Sequence, residues 1–265
     1  MALSAIIALL ACTSGATAQN VETFKVKAVS FKMIKVEGGS FQMGTTPDQG
    51  DASVKQPVRD VKVNTFSMGE TEVTQGIWSA VMGTNPSVFK TPYLYNYSNS
   101  LPVENVSLED CKEFIKKLNK ITNRKFRLPT EEEWEYAARG GKKAKPTRYA
   151  GSNNIDEVGW YAQNSGDKQL GEDFSGFEAR ENNCRTRIVA DKTPNELGIY
   201  DMTGNVGEWT DTKYTRSSSK SERGKYIIKG GDYSSRRQYC PVSEIGVSDP
   251  DKANSLTGLR LALSE

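Results

Sequence analysis

Residues 126–141, FRLPTEEEWEYAARGG, carry the strongest local signal in the chain. Thr130 followed three residues later by Glu133 is a capping box, in which two side chains satisfy free amides at a helix start. Pro129 stands just before it, acids crowd the first turn, and Gly140 can take a left-handed stop. The spacing predicts a short helix that buries Trp134, Ala137 and Ala138, with Arg127 and the glutamates facing polar neighbours.

Working outward, two more helices are predicted. One covers residues 74–82, with Ile77, Trp78, Val81 and Met82 on one face and Gly83 as its stop. The other begins at Ser107, where Ser107 and Asp110 can cap free amides. Leu108, Cys111, Phe114, Ile115, Leu118 and Ile121 recur at helical spacing, so Cys111 is expected on a buried stripe. Upstream, FKMIKVEGGSFQMG (residues 31–44) reads as a hairpin turning at Gly38 and Gly39, and residues 19–30 as a polar lead-in. VRDVKVNTFSM (58–68) alternates like a half-buried strand. Beyond Gly140 periodic runs are short, with strands expected in GKYIIKGG near Tyr226 and in TGLRLALS near Leu259. The pattern is a loop-rich α+β domain over residues 31–265, with most functional potential in its second half.

Composition narrows the chemistry. The 265 residues include 35 basic and 33 acidic side chains, so no net field draws the chain to nucleic acid. The densest basic run, GKKAKPTR (141–148), is a Gly- and Pro-marked turn. Histidine is absent, which excludes a Ser-His-Asp triad, a Cys-His pair and His-ligated zinc or iron.

The first segment, MALSAIIALLACTSGATAQN, has an apolar run too short to span a bilayer and ends in Ala16-Thr17-Ala18, a signal-peptidase pattern over residues 1–18. Leu9-Leu10-Ala11-Cys12 offers a second reading, a lipoprotein box with a lipid anchor at Cys12. Either way the expected location is secreted, periplasmic or outer-surface, where disulfides are allowed. Cys111, Cys184 and Cys240 then remain, so at most one internal disulfide is expected, with the pairing open.

MIKVEGGSFQMG, ETEVTQGIWSAVMG, LPVENVSLEDCKEFIKKLN, FRLPTEEEWEYAARGG, TPNELGIYDMTGNVGEW, IIKGG and GLRLALS occur in that order. Together they resemble the formylglycine-generating enzyme family, also called the sulfatase-modifying factor family, over roughly residues 31 to 265. The resemblance implies a C-type-lectin-like fold with little regular structure and long loops. It also implies calcium at the GNVGEW turn, held by Asn205 and Glu208 with backbone oxygens near Val206 and Gly207, oxygen donors of the kind calcium takes. A hydrogen-bonded turn without metal is the alternative, and the family usually has Trp where Gly207 stands. LGEDFSGFEARENNC (170–184) interrupts the family pattern and is expected to be an exposed insertion.

In the catalytic members two cysteines, five positions apart, bind copper(I) and oxidise a substrate cysteine to formylglycine. The second family position matches Cys240 in GGDYSSRRQYC (230–240), and the first aligns with Ser235. A protonated, hard hydroxyl is a poor ligand for a soft ion, so copper is not expected. The family's sulfoxide synthases hold iron with histidines, which this chain lacks. Arg236 and Arg237 offer a grip for an anionic ligand, or simply a solvated turn. Three functions are expected from these readings: a non-catalytic module binding a glycan, peptide or protein partner; a divergent formylglycine-generating oxidase acting on a sulfatase; and a structural lipoprotein of an envelope assembly. Nucleic acid is not an expected partner.

Overall fold

A computed structural model describes residues 21–50, 55–90, 98–217 and 219–264. The leader at residues 1–18 and the anchor expected at Cys12 lie outside the described residues. Residues 21–30 are not a lead-in. Val21–Val26 form strand β1, which turns at Lys27 (φ 55°) and pairs antiparallel with β2, Val29–Val36. The polar look of the segment reflects one solvent-facing side of a strand pair.

Nor do Gly38 and Gly39 make a hairpin. β2 stays in the first sheet, whereas β3 (Gly39–Met43) leaves to form a separate ribbon with β4 (Arg59–Val63). Gly38 sits at the corner, where an added Cβ would lie 2.6 Å from Val63 O. The backbone approach there, and not a tight turn, requires glycine. For the same reason VRDVKVNTFSM is two strands, β4 and then β5 (Phe66–Gly69), in different sheets.

Helices α1 (Gln75–Met82), α2 (Leu108–Thr122) and α3 (Glu131–Ala138) start where their caps predict. Thr74 accepts from Ile77 N, and the Ser107/Asp110 and Thr130/Glu133 boxes are both closed. β6 (Phe126–Arg127) links α2 to α3, and the one-turn α4 (Ile155–Val158) and α5 (Gly176–Glu181) come next. Then come β7 (Gly207–Lys213), β8 (Tyr226–Lys229), β9 (Gly246–Ser248), β10 (Thr257–Gly258) and β11 (Ala262–Ser264).

One sheet runs β1-β2-β5-β11-β6 and the other β10-β7-β8-β9. The first is covered on both faces. Met33 faces a core with α1 and α2, where Trp78 and Phe114 stack with centroids 4.9 Å apart. Its neighbour Ile34 faces a second core with Trp134, Tyr136 and Ala137 of α3. Cys111 lies on the buried stripe of α2, but Ile121, in its last turn, is 48 % exposed and lies outside the core. Two of the glutamates on α3 are sealed inside and paired: Glu131 with Arg216, and Glu135 with Arg139 and Lys229. The run near Leu259 is two strands, split between the sheets where Arg260 turns into the core.

Candidate functional site: a cavity beside the 230–240 loop

The 230–240 loop leaves β8 through Gly230 and Gly231, both with positive φ. At Gly231 a Cβ would lie 2.8 Å from Cys240 Sγ, so the loop can fold back on its own end only with glycine there. Asp232 organises the next turn. Its carboxylate accepts from Ser234 N and Oγ at 2.8 and 2.7 Å and from Ser235 Oγ at 2.9 Å. The GGDYSS run could have revealed this turn, since aspartate is suited to accepting from the next few residues.

Ser235 and Cys240 are therefore in one loop but do different jobs. The Ser235 hydroxyl both donates to the Asp232 carboxylate and accepts from Asp232 N at 3.2 Å. Cys240 is 0 % exposed and packs with Tyr149, Ile155, Val158 and Tyr161. Burial pushes its thiol well above the usual range, and the carboxylates of Asp232 and Glu244 push the same way. A buried thiol held protonated is a poor nucleophile. Cys111, Cys184 and Cys240 are all free, so none of the pairings left open by the sequence forms. Copper(I) asks for two thiolates, and a buried thiol beside a tied-up hydroxyl does not fit it.

Next to this loop lies a cavity of about 410 Å3, lined by Gly207, Asp232, Ser235 and Tyr239 and by the apolar side chains of Ile228 and Val247. Gly207 is packed closely in the wall: an added Cβ would lie 2.8 Å from Ile228 Cγ2. Tyr239 is 47 % exposed at the cavity's edge. Behind the loop, Tyr233 meets Phe89 edge-on at 5.1 Å, and Phe89 N donates to buried Glu104 at 2.9 Å. Burial lifts the Glu104 carboxyl to about 7.

Arg236 and Arg237 do not offer an open anion grip. The Arg236 guanidinium lies 4.5 Å over the ring of Phe174 and donates to Phe174 O, and Arg237 pairs with Glu172. Residues 170–184 are mostly exposed, as expected, but they are anchored. Leu170 and Phe174 are buried against Ala162, although Phe177 is 68 % exposed.

The donors named at the GNVGEW turn face inward. Asn205 Oδ1 accepts from Arg187 N at 2.9 Å, and Asn205 O accepts from Tyr233 N at 2.9 Å. Glu208 accepts from Trp134 Nε1 at 2.6 Å and from Arg260 Nε at 3.0 Å. Gly207 N donates to Leu256 O at 2.8 Å, and Gly207 and Val206 are buried. A guanidinium already occupies the cation position in front of Glu208, so calcium does not fit the Asn205–Glu208 set. Sequence reading missed Arg260 and two buried acids beside it. Burial first, then Asp201, raises Glu72 well above the usual carboxylate range, and burial lifts Asp201 to about 6. Protons and Arg260 thus compensate the charge there.

Residues 17–265 match the sulfatase-modifying factor enzyme 1-like domain, and the chain belongs to that family. It is 32 % identical over 291 residues to "Chaperone protein LppX" of Paenibacillus barcinonensis, covering 99 % of this chain and 97 % of the relative. It is 26 % identical to "Inactive C-alpha-formylglycine-generating enzyme 2" of Bos taurus, covering 87 % of each. Among solved structures, "Treponema denticola variable protein 1" superposes with a TM-score of 0.76 at 27 % identity, over 92 % of this chain and 99 % of that one. The fold is the expected C-type-lectin-like α+β arrangement of formylglycine-generating enzymes. No helix among the described residues is long and apolar enough to cross a membrane.

Proposed function

We propose that this chain is a non-catalytic member of its family, acting outside the cytoplasm by holding an extended segment of another polypeptide in the cavity beside Gly207. One observation carries the reading: room for a ligand stands next to a sulfur sealed away from solvent. The cavity of about 410 Å3 is lined by Gly207, Asp232 and Ser235, while Cys240 is 0 % exposed. Its mixed lining, Ile228 and Val247 against Asp232 and Ser235, suits an amphipathic chain segment. The chaperone name of one relative and the inactive name of another support a holding role. Export is supported by the signal-peptidase pattern ending at Ala18.

The test uses fluorescein-labelled, reduced and carboxymethylated α-lactalbumin, which stays unfolded, read by anisotropy. Saturable binding that Gly207→Trp abolishes is expected. Val247→Arg at the rim should weaken it with the melting temperature unchanged. Binding that ignores both substitutions overturns the reading. So does aldehyde formation when the protein, copper(I) and oxygen meet a Cys-x-Pro-x-Arg peptide.

A further inference from the structure

The segment that breaks the family pattern touches the cavity's own loop. We propose that residues 170–184 are a strap that fixes the 235–239 wall of the cavity, with Phe174 and Glu172 as positioning residues that hold Arg236 and Arg237. This rests on the reading of the cavity as a binding site.

The strap's neck is rigid. Asp167 N donates to Asn182 O at 2.8 Å, Lys168 N to Asn182 Oδ1 at 3.0 Å, and Asn182 Nδ2 back to Lys168 O at 2.8 Å. Both ends of the strap and the wall meet on one short segment. Leu170 N donates to Gln163 O at 2.8 Å and Cys184 Sγ to Ala162 O at 3.2 Å. Ala162 N in turn donates to Ser235 O at 3.0 Å, and Ser165 Oγ to Tyr233 O at 2.7 Å. The middle of the strap then reaches the wall a second time through Arg236 and Arg237. By contrast α5, at its tip, buries no residue. The strap is fixed at its neck and at Phe174, and Ala179 of α5 leans on the same cluster.

The two contacts are unequal. Glu172 and Arg237 are 77 % and 40 % exposed, so their attraction is weak and screened by salt. Phe174 is 6 % exposed, and its ring and carbonyl both hold the guanidinium of half-buried Arg236. Phe174 is the main fastener. With it gone, residues 235–239 keep the Asp232 turn and the Ala162 bond but lose their outer support.

The experiment compares Phe174→Ala, Phe174→Tyr, Glu172→Arg and the Glu172→Arg/Arg237→Glu swap in the full chain. Amide exchange at residues 235–240 is read by mass spectrometry, alongside dissociation of the labelled lactalbumin. In Phe174→Ala, exchange there should quicken and dissociation should speed up about three- to tenfold, the range of one cation–π contact. Phe174→Tyr should restore both. Glu172→Arg should speed dissociation about twofold at low salt, and the swap should reverse it.

Unchanged exchange at residues 235–240 in Phe174→Ala overturns the strap, whatever the probe does. If Gly207→Trp still abolishes binding in that case, the cavity reading stands alone. If exchange quickens but neither Phe174→Ala nor Gly207→Trp alters binding, the strap stands and the cavity reading falls. Should Phe174→Ala not fold, the charge swap decides: a reversal supports the strap, and additive losses overturn it.

Discussion

Arg260 holds Glu208 from two nitrogens inside the protein, with Nε and Nη2 at 3.0 and 2.7 Å from Glu208 Oε1 and side-chain exposures of 0 % and 1 %. The same guanidinium donates to Gly69 O at 3.0 Å and to Tyr200 O at 2.8 Å. It therefore ties β5, β7 and the loop before Asp201 to the residues entering β11. Removing one partner of such a pair strands the other, which typically costs about 3–5 kcal/mol. Arg260→Met should lower stability by about that amount in urea denaturation. A loss below about 1 kcal/mol would mean that the stranded acids find other compensation. The deficit should shrink in acid, because protonating Glu72 and Asp201 relieves the uncompensated charge.

Calcium enters the same account. Since Arg260 fills the cation position at Glu208, chelator should leave the melting temperature unchanged. A rise of several degrees with millimolar calcium would count against this, because a ligand stabilises by binding the folded state alone. It would point to Glu72 and Asp201, whose buried oxygens Glu72 Oε1, Glu72 Oε2 and Asp201 Oδ1 have no hydrogen-bond partner.

Glu104 gives stability a pH dependence of calculable sign. Its carboxyl titrates near 7 in the folded chain, against about 4.3 when unfolded. Between those values the folded state binds the extra proton, so its contribution falls as pH rises from about 4.3 to about 7 and is flat above. Glu104→Gln should remove that fall. The melting-temperature difference, variant minus wild type, should therefore grow by a few degrees between about pH 5 and pH 7.5. A constant difference would show that Glu104 does not titrate there.

Thiol reactivity separates the cysteines. Cys111 and Cys240 are buried and Cys184 is half-buried. Burial raises the Cys111 and Cys240 thiols well above the usual range. Iodoacetamide on the native protein should label Cys184 first, with Cys240 modified only in denaturant, read by peptide mass spectrometry. Rapid native labelling of Cys240 would undo the claim that it is chemically silent.

Helices α1, α2 and α3 were legible because caps and periodicity are local: Thr74, Ser107 and Thr130 each announce a start within four residues. The corner at Gly38 reads as a hairpin because glycines mark a backbone requirement without saying whether the partner strand is the next one or a distant one. At the site, Ser235 and Cys240 were legible as residues, but their fates were not. Whether Arg236 meets water or Phe174 depends on a contact between positions 62 residues apart. Neither periodicity nor a short motif records such a pairing. The cavity was invisible for a similar reason, since its lining gathers Gly207, Ile228, Asp232, Val247 and Leu256 from distant parts of the chain.

The position of β11 has a consequence for truncation. It lies between β5 and β6, pairing Ala262 with Met68 and with Arg127. Without residues 262–264 the edge strand β6 has no neighbour, and β5 becomes the new edge of the sheet. Losing residues 262–264 would therefore cost the sheet both β11 and the only strand partner of β6 among the described residues.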